Sequence, residues 1–273
     1  MSFVVMAGVA KQASPLRFFV LKARPAKQAS PVRFFVLKTA AIAALFAFAA
    51  DVPANAAAPA AAQDISGVWW TTAYSPKIQL VGGGDLPYTA AGKAAYDKNI
   101  AALKSGQMTD AARRYCVPDG VPRVLATPYP FEIIHTPGQT TLIYEMNHAI
   151  RVVAMDKPLP KDEELIPYPY YNGHSVGHWE GDTLVIETAG FNDKTFLDAA
   201  GAPHSDTMKT TERLRKIGNN QLEDVVTVHD PDMFTRDFSA RFVYQQRNDI
   251  RLQDYVCGEK HRDLSSVRGV QAR

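Results

Sequence analysis

Three stretches of the chain hold side chains able to move a proton. "NGHSVGHWEGDTLVIET" (172–188) sets His174 and His178 four residues apart, beside Trp179. "LDAAGAPHSD" (197–206) puts Asp198, His204 and Asp206 into one loop. Glu145 and Glu212 add carboxyls on apolar runs. An Asp that orients a His makes a general base, and loops on a rigid sheet often carry reactive groups. The expected site has His204 as base, Asp198 as its orienting acid and His174 as acid or hydrogen-bond donor. Glu145 or Glu212 supplies a further acid. Trp179 is the expected stacking wall, with His178, Arg151 and Tyr144 as further substrate contacts. Such a set suffices for elimination, isomerisation or carbon–carbon cleavage on a small apolar or aromatic molecule, with no cofactor.

Each residue also has a plainer reading. Asp, Ser and Gly are what loops contain anyway. Glu180, Gly181 and Asp182 are turn chemistry. Glu212 with Arg213, and Glu145 with Arg151, suit structural ion pairs across strands. An extended "HSVGHW" separates His174 from His178 by roughly 13 Å, too far to share a metal. Gly173 and Gly177 disfavour the helix in which the two would chelate, so no metal site is expected. "VGGGD" (81–85) lacks the Lys and helix of a phosphate loop, and there is no dinucleotide fingerprint. No G-x-S-x-G occurs, and Ser205 beside His204 makes no nucleophile–base pair.

The elements that must hold these groups are mostly strands. "DISGVWWTTAY" reads as the first. "YTAAGKAAYDKNIAALKSGQMTDAARRYC" is helical, capped by Thr89 and broken at Gly106, which places a short helical insertion near 89–115. "VPDGVPRVLATPYP" is a loop. Beyond Phe131, "FEIIHT"–"TTLIYEMN", "HSVGHW"–"TLVIETAGF", "TTERLRKI"–"QLEDVVTVHD" and "FSARFVYQQR"–"IRLQDYVC" read as four hairpins, with "AIRVVAM" extending the first. A Pro- and acid-rich link, "DKPLPKDEELIPYPYYNG", precedes the second. This meander is mainly β, an antiparallel barrel or sandwich. Alternation leaves neither face purely polar: Leu142 and Tyr144 share one face, as do Leu184, Ile186 and Thr188. Mixed faces suit a barrel with polar groups in its lumen, or a half-covered sheet.

The 273-residue chain begins with a segment of another kind. Residues 1–38 hold seven Lys and Arg and no acid, in a near-perfect duplication of "KQASPLRFFVLK". Thr39–Ala50 is an unbroken small and apolar run, and "ANA" (54–56) offers a peptidase site. Residues 1–56 therefore read as a secretory signal peptide with a duplicated basic n-region, and the apolar run is short of the ~20 residues a membrane span needs. A flexible lead-in (57–63), a single β domain (64–262) and a tail (263–273) follow. Removal of 1–56 leaves 23 basic against 27 acidic residues, which withdraws the electrostatic case for a nucleic-acid partner. A periplasmic or secreted location suits one Cys116–Cys257 disulfide, worth about 4–5 kcal/mol at most by loop entropy. Two buried free thiols are the alternative.

"GHSVGHWEGDTLVIET", "LDAAGAPHSD", "ERLRK" and "VVTVHDPDMFT" together resemble a large group of secreted bacterial proteins of mostly unassigned function that share a GxSxGxWEGDTLVVET signature. The resemblance spans roughly 65–260 and implies a compact, mostly antiparallel β fold without naming a reaction. Gly67 and Trp69 also resemble the Gly-x-Trp start of lipocalin-like barrels. Three functions are carried forward: a cofactor-independent lyase or isomerase of the periplasm, a lipocalin-like binder of a hydrophobic ligand, and an envelope interaction protein. Convergence of His174 or His178, His204 and Asp198 with Glu145 or Glu212 would mark the enzyme; an apolar cavity with one or two polar anchors would mark the binder. The processed protein should begin at Ala57, which N-terminal sequencing of periplasmic material checks; an intact Met1 there would overturn the leader assignment.

Overall fold

The chain divides into two units, Met1–Ala54 and Asn55–Arg273. The computed structural model describes residues 64–257, apart from 108–109, 166–168 and 219. The expected leader, the lead-in and the tail beyond 257 lie outside the described residues. Within them the fold is a closed barrel of nine strands with few helices. Its strands are β1 (Gly67–Thr71), β2 (Phe131–Thr136), β3 (Gln139–Tyr144), β4 (Ile150–Met155), β5 (His174–Glu180), β6 (Thr183–Ala189), β7 (Lys209–Ile217), β8 (Gln221–His229) and β9 (Phe238–Gln246). β1 pairs with both β2 and β9, which closes the ring.

The helical insertion falls where composition put it. Helix α1 (Ala90–Lys104) starts at Thr89, whose hydroxyl accepts from the Gly92 amide. Gly92 itself is a packing requirement, because a Cβ there would sit 2.1 Å from the Met233 carbonyl oxygen. Helix α2 (Ala111–Tyr115) follows the helix break at Gly106. Helix α3 (Asp162–Leu165) lies in the Pro-rich link.

Two expectations are corrected. The barrel is not wholly antiparallel, because β4 and β5 run parallel. A closed ring with an odd number of strands cannot alternate direction throughout, so one neighbouring pair must be parallel. Parallel neighbours need a long crossover, and the link from Asp156 to Gly173 is that crossover. Secondly, "IRLQDYVC" is not a strand. β9 already has β8 and β1 as neighbours and offers no free edge. The segment instead crosses to other partners. The Gln253 amide donates to Glu145, the Tyr255 amide donates to His148 Nε2, and Cys257 is bonded to Cys116.

Parity then sorts the connections. The tight connections of β2 with β3, β5 with β6 and β7 with β8 gather at one end of the barrel. The segments 72–130, 145–149, 190–208 and 230–237 gather at the other. The lumen between is packed by its own side chains: Trp69, Leu142, Leu184, Ile186, Leu222 and Val226 are all essentially unexposed. Gly177 is part of that fit, since a Cβ would approach Val153 Cγ1 to 2.8 Å.

The polar groups in the lumen centre on Arg151. Its Nη1 donates to Glu212 Oε2 at 2.8 Å and its Nη2 to Glu212 Oε1, a bidentate pair with both side chains at or below 1 % exposure. Its Nε donates to Ser175 Oγ at 2.9 Å, and Nη2 also donates to Thr188 Oγ1 at 2.7 Å. One side chain from β4 thus ties β5, β6 and β7 together. It bridges the parallel seam, which has three Cα partner pairs against the seven of β5 with β6. The expected pairs Glu145–Arg151 and Glu212–Arg213 are not made. Neighbours in a strand face opposite sides, so Arg213 points outward to Glu180 while Glu212 points in.

Asp224 is buried in the same lumen, and neither carboxyl oxygen has a hydrogen-bond partner among the described residues. Burial, reinforced by the negative charge of Glu212, pushes its pKa well above the usual carboxylate range. In its neutral form, which burial favours, Asp224 leaves Arg151 and Glu212 as a balanced pair. Arg151→Met should cost about 3–5 kcal/mol in urea unfolding, because Glu212 is left charged and unpaired. The double variant Arg151→Met/Glu212→Leu should lose less than the single one. A double variant weaker than Arg151→Met would refute the charge argument.

Candidate functional site

The long-loop end carries a cleft of about 330 Å³. Tyr74 from the segment after β1, Tyr129 from the loop before β2, Phe242 from β9 and Tyr255 from the returning C-terminal segment supply its aromatic walls. Tyr129 and Tyr255 meet edge to face with centroids 5.1 Å apart. The disulfide lies at the rim and anchors the segment that carries Tyr255.

The polar side of the cleft is a chain of four charges. Arg113 lies 3.6 Å from Asp110, Arg123 Nη1 lies 2.9 Å from Asp110 Oδ2, and Arg123 Nε lies 3.0 Å from Asp119 Oδ1. Asp110, Asp119 and Arg123 are all buried. Asp110 also caps α2 through the Ala112 amide. The Arg123–Asp119 pair lacks hydrogen-bond geometry, so neither oxygen of Asp119 has a hydrogen-bond donor among the described residues. Burial raises the Asp119 pKa, and the charge of Arg123 opposes that rise.

Asn147 faces the same space. It sits in the short turn after β3 in a left-handed conformation (φ 54°, ψ 19°), which Asn tolerates better than most residues. Its Nδ2 donates to the Val117 carbonyl at 3.0 Å. A carbonyl can only accept, so this bond fixes the amide and turns Oδ1 the other way. That Oδ1 is buried and has no donor among the described residues.

The residues expected to do acid–base chemistry do not assemble. His204 is buried, with Nδ1 at 3.1 Å from the Ser205 carbonyl and Nε2 at 3.2 Å from Thr195 Oγ1. The carbonyl fixes the proton on Nδ1, so the Nε2 lone pair accepts from Thr195. Asp198 does not touch the ring. Its Oδ2 accepts the Ile78 amide, and its Oδ1 accepts the amides of Ala200 and Ala202, each at 3.0 Å. Three backbone donors consume the carboxylate and close the loop, which is why it does not orient His204. Asp198 does line the cleft, but His204 and His174 line two other depressions. His174 meets Tyr170 edge-on with ring centroids at 4.5 Å.

The other candidates have structural partners. Glu145 holds the Gln253 amide, and Glu212 holds Arg151. The Tyr144 hydroxyl is buried beside Arg151 without a well-formed hydrogen bond. His178 lies on the outer face, 3.2 Å from Glu180. Trp179 faces inward at the tight-turn end, 5.7 Å from the His135 ring, and so is not a wall of the cleft. Reading "VPDGVPR" only as a loop misses Asp119 and Arg123, and reading "TTLIYEMN" as one strand misses the turn that holds Asn147. An acid and a base flanked by two prolines were the available signal. Among the described residues no three His, Cys, Asp or Glu side chains gather as a metal site.

Searches against protein-family models and curated proteins return no match.

Burial lowers the pKa of His204, opposed by the Ser205 carbonyl, and burial does the same to His135. A folded-state pKa below the ordinary ~6.5 gives stability that is present above that pH and lost as pH falls through it. His204 should therefore contribute less to the unfolding free energy as pH falls from 7.5 to 5.5, so His204→Gln should hold more of its stability over that range than the wild-type protein does, Asp224 acting alike in both. Parallel slopes for the two proteins in urea titrations would show that His204 stays unperturbed.

Proposed function

We propose that the chain is a binding protein for a small aromatic or apolar molecule, seated in the cleft at the long-loop end. The observation that carries this reading is the cleft itself: aromatic walls around a few buried polar groups, at a volume suited to a small ligand. The acid–base enzyme is the weaker reading, because His204 and Asp198 are each occupied by structural hydrogen bonds. Binding of this kind needs no cofactor. Export to the periplasm fits the Cys116–Cys257 bridge and the basic and apolar leader, and the resemblance to secreted bacterial proteins points the same way. No described helix is long and apolar enough to cross a membrane.

A second reading has one observation behind it. Ile134, Ile150 and Val152 are exposed on the outer face of β2 and β4, which suits contact with an envelope partner.

Ala126 is half-buried in the cleft wall, so the larger side chain of Ala126→Trp takes up space in the cleft. The wild-type protein should show saturation transfer to p-xylene by NMR. The Ala126→Trp protein should lose it while retaining its circular dichroism spectrum and its melting temperature to within a few degrees. Transfer that survives in a folded Ala126→Trp protein would move the ligand elsewhere and sink the assignment.

A further inference from the structure

The last barrel strand, β9, ends at the tight-turn end. There the Gln246 amide donates to the Asn220 carbonyl and the Arg247 amide to the Val68 carbonyl. Tyr255, a wall of the cleft, lies at the opposite end. Residues 247–257 join the two places as a strap with no strand in it. On arrival the strap's amides donate to side chains rather than to a ladder. Gln253 donates to Glu145 Oε2 at 2.8 Å and Tyr255 to His148 Nε2 at 2.7 Å. Both bonds are exposed, and water competes there for donor and acceptor, so each adds little to the hold. The Tyr129–Tyr255 contact adds to them. The firm attachment is covalent, through Cys257 to Cys116.

Both cysteines lie outside the nine strands, Cys116 at the end of α2 and Cys257 at the end of the strap. The ring is closed by the ladders of β1 with β2 and β9, and neither passes through the bridge. The bridge therefore ties the strap to the 72–130 insertion at the cleft rim. Both cysteines are part exposed, and Cys257 lines the cleft, which opens the bridge to a small thiol.

We propose that Cys116–Cys257 is a site of thiol–disulfide exchange that governs the cleft: reduction by a dithiol frees the strap, withdraws the Tyr255 wall and lowers the affinity for ligand, while the barrel stays folded. The effect on ligand rests on the reading of the cleft as an aromatic-ligand site; the release of the strap does not. One thiolate of the reductant attacks one sulfur of the bridge and expels the other as a thiolate, leaving a mixed disulfide. The reductant's second thiol displaces the protein sulfur from it, and the reductant leaves as its own disulfide. Two electrons and two protons pass to the protein, which then carries Cys116 and Cys257 as thiols. A bound ring that loses Tyr255 loses dispersion contacts and part of its cover from water.

The test compares the purified protein before and after reduction with excess dithiothreitol, well below its melting temperature. Hydrogen exchange read by mass spectrometry follows the strap, and NMR titration gives the dissociation constant for p-xylene. On reduction, peptides holding the Gln253 and Tyr255 amides should exchange about tenfold faster or more, while those of β6, β7 and β8 stay protected and the circular dichroism is unchanged. The affinity for p-xylene should fall several-fold. Cys116→Ser/Cys257→Ser should show both changes with no reductant present and no response to it. Tyr255→Ala with the bridge intact should match the reduced protein in affinity. Unchanged exchange at Gln253 and Tyr255 on reduction would overturn the release of the strap. Loss of the barrel's protection or circular dichroism would make the bridge a staple of the whole fold and overturn the proposal. Faster strap exchange with unchanged p-xylene affinity would overturn the control of ligand by Tyr255. An oxidised protein that does not bind p-xylene would bring down the binding reading itself and with it the control of ligand, while exchange still decides the release of the strap.

Discussion

Nine is an odd number, and the architecture follows from closing nine strands into one barrel. Strict alternation fails at one seam, so β4 and β5 lie parallel and a long crossover carries the chain from one end of the barrel to the other. That crossover restores the parity of everything after it. The connections of β6 with β7 and of β8 with β9 therefore emerge at the end that already holds the 72–130 insertion. A cleft built from distant segments needs those segments at one end, and the parallel seam puts them there.

The seam has few partner pairs, and it is the place where a buried charge is spent. Arg151 reaches from β4 past Ser175 and Thr188 to Glu212 on β7. A guanidinium in a packed lumen is costly unless its donors find acceptors, and here its three nitrogens donate four hydrogen bonds. Asp224 shows the opposite case. With no hydrogen-bond partner for either oxygen among the described residues, it is held towards its neutral form by burial. The lumen is thus filled and nearly charge-balanced, and the aromatic cleft is formed at the long-loop end instead.

Those loops are pinned rather than loose. Asp198 gathers three amides, Asp230 accepts from the amide and hydroxyl of Ser205, and the disulfide fastens the C-terminal segment beside Tyr129. Residues that look reactive in the sequence are largely the pins. A carboxylate that closes a loop and one that activates a histidine have the same composition signature, Asp near His in a Gly-rich loop, and differ only in which donors arrive.

The sequence by itself determined the nine barrel strands though not the fate of "IRLQDYVC", the helical insertion with its Thr89 cap, the mixed character of the strand faces and the Cys116–Cys257 pair. These are local or unique choices: period-two alternation, a capping hydroxyl, and the one possible pairing of two cysteines. The tertiary structure alone decided the parallel seam, since strand direction depends on how many strands close the ring. It decided that Arg151 takes Glu212 rather than Glu145, because facing is set by register across three strands. It also decided that Asn147 and Asp119 face one cleft with Tyr255. Their meeting requires the turn after β3 and the loop before β2 to emerge at one end, and the segment beyond β9, which leaves the barrel at the other end, to return to it, and no local pattern encodes that coincidence.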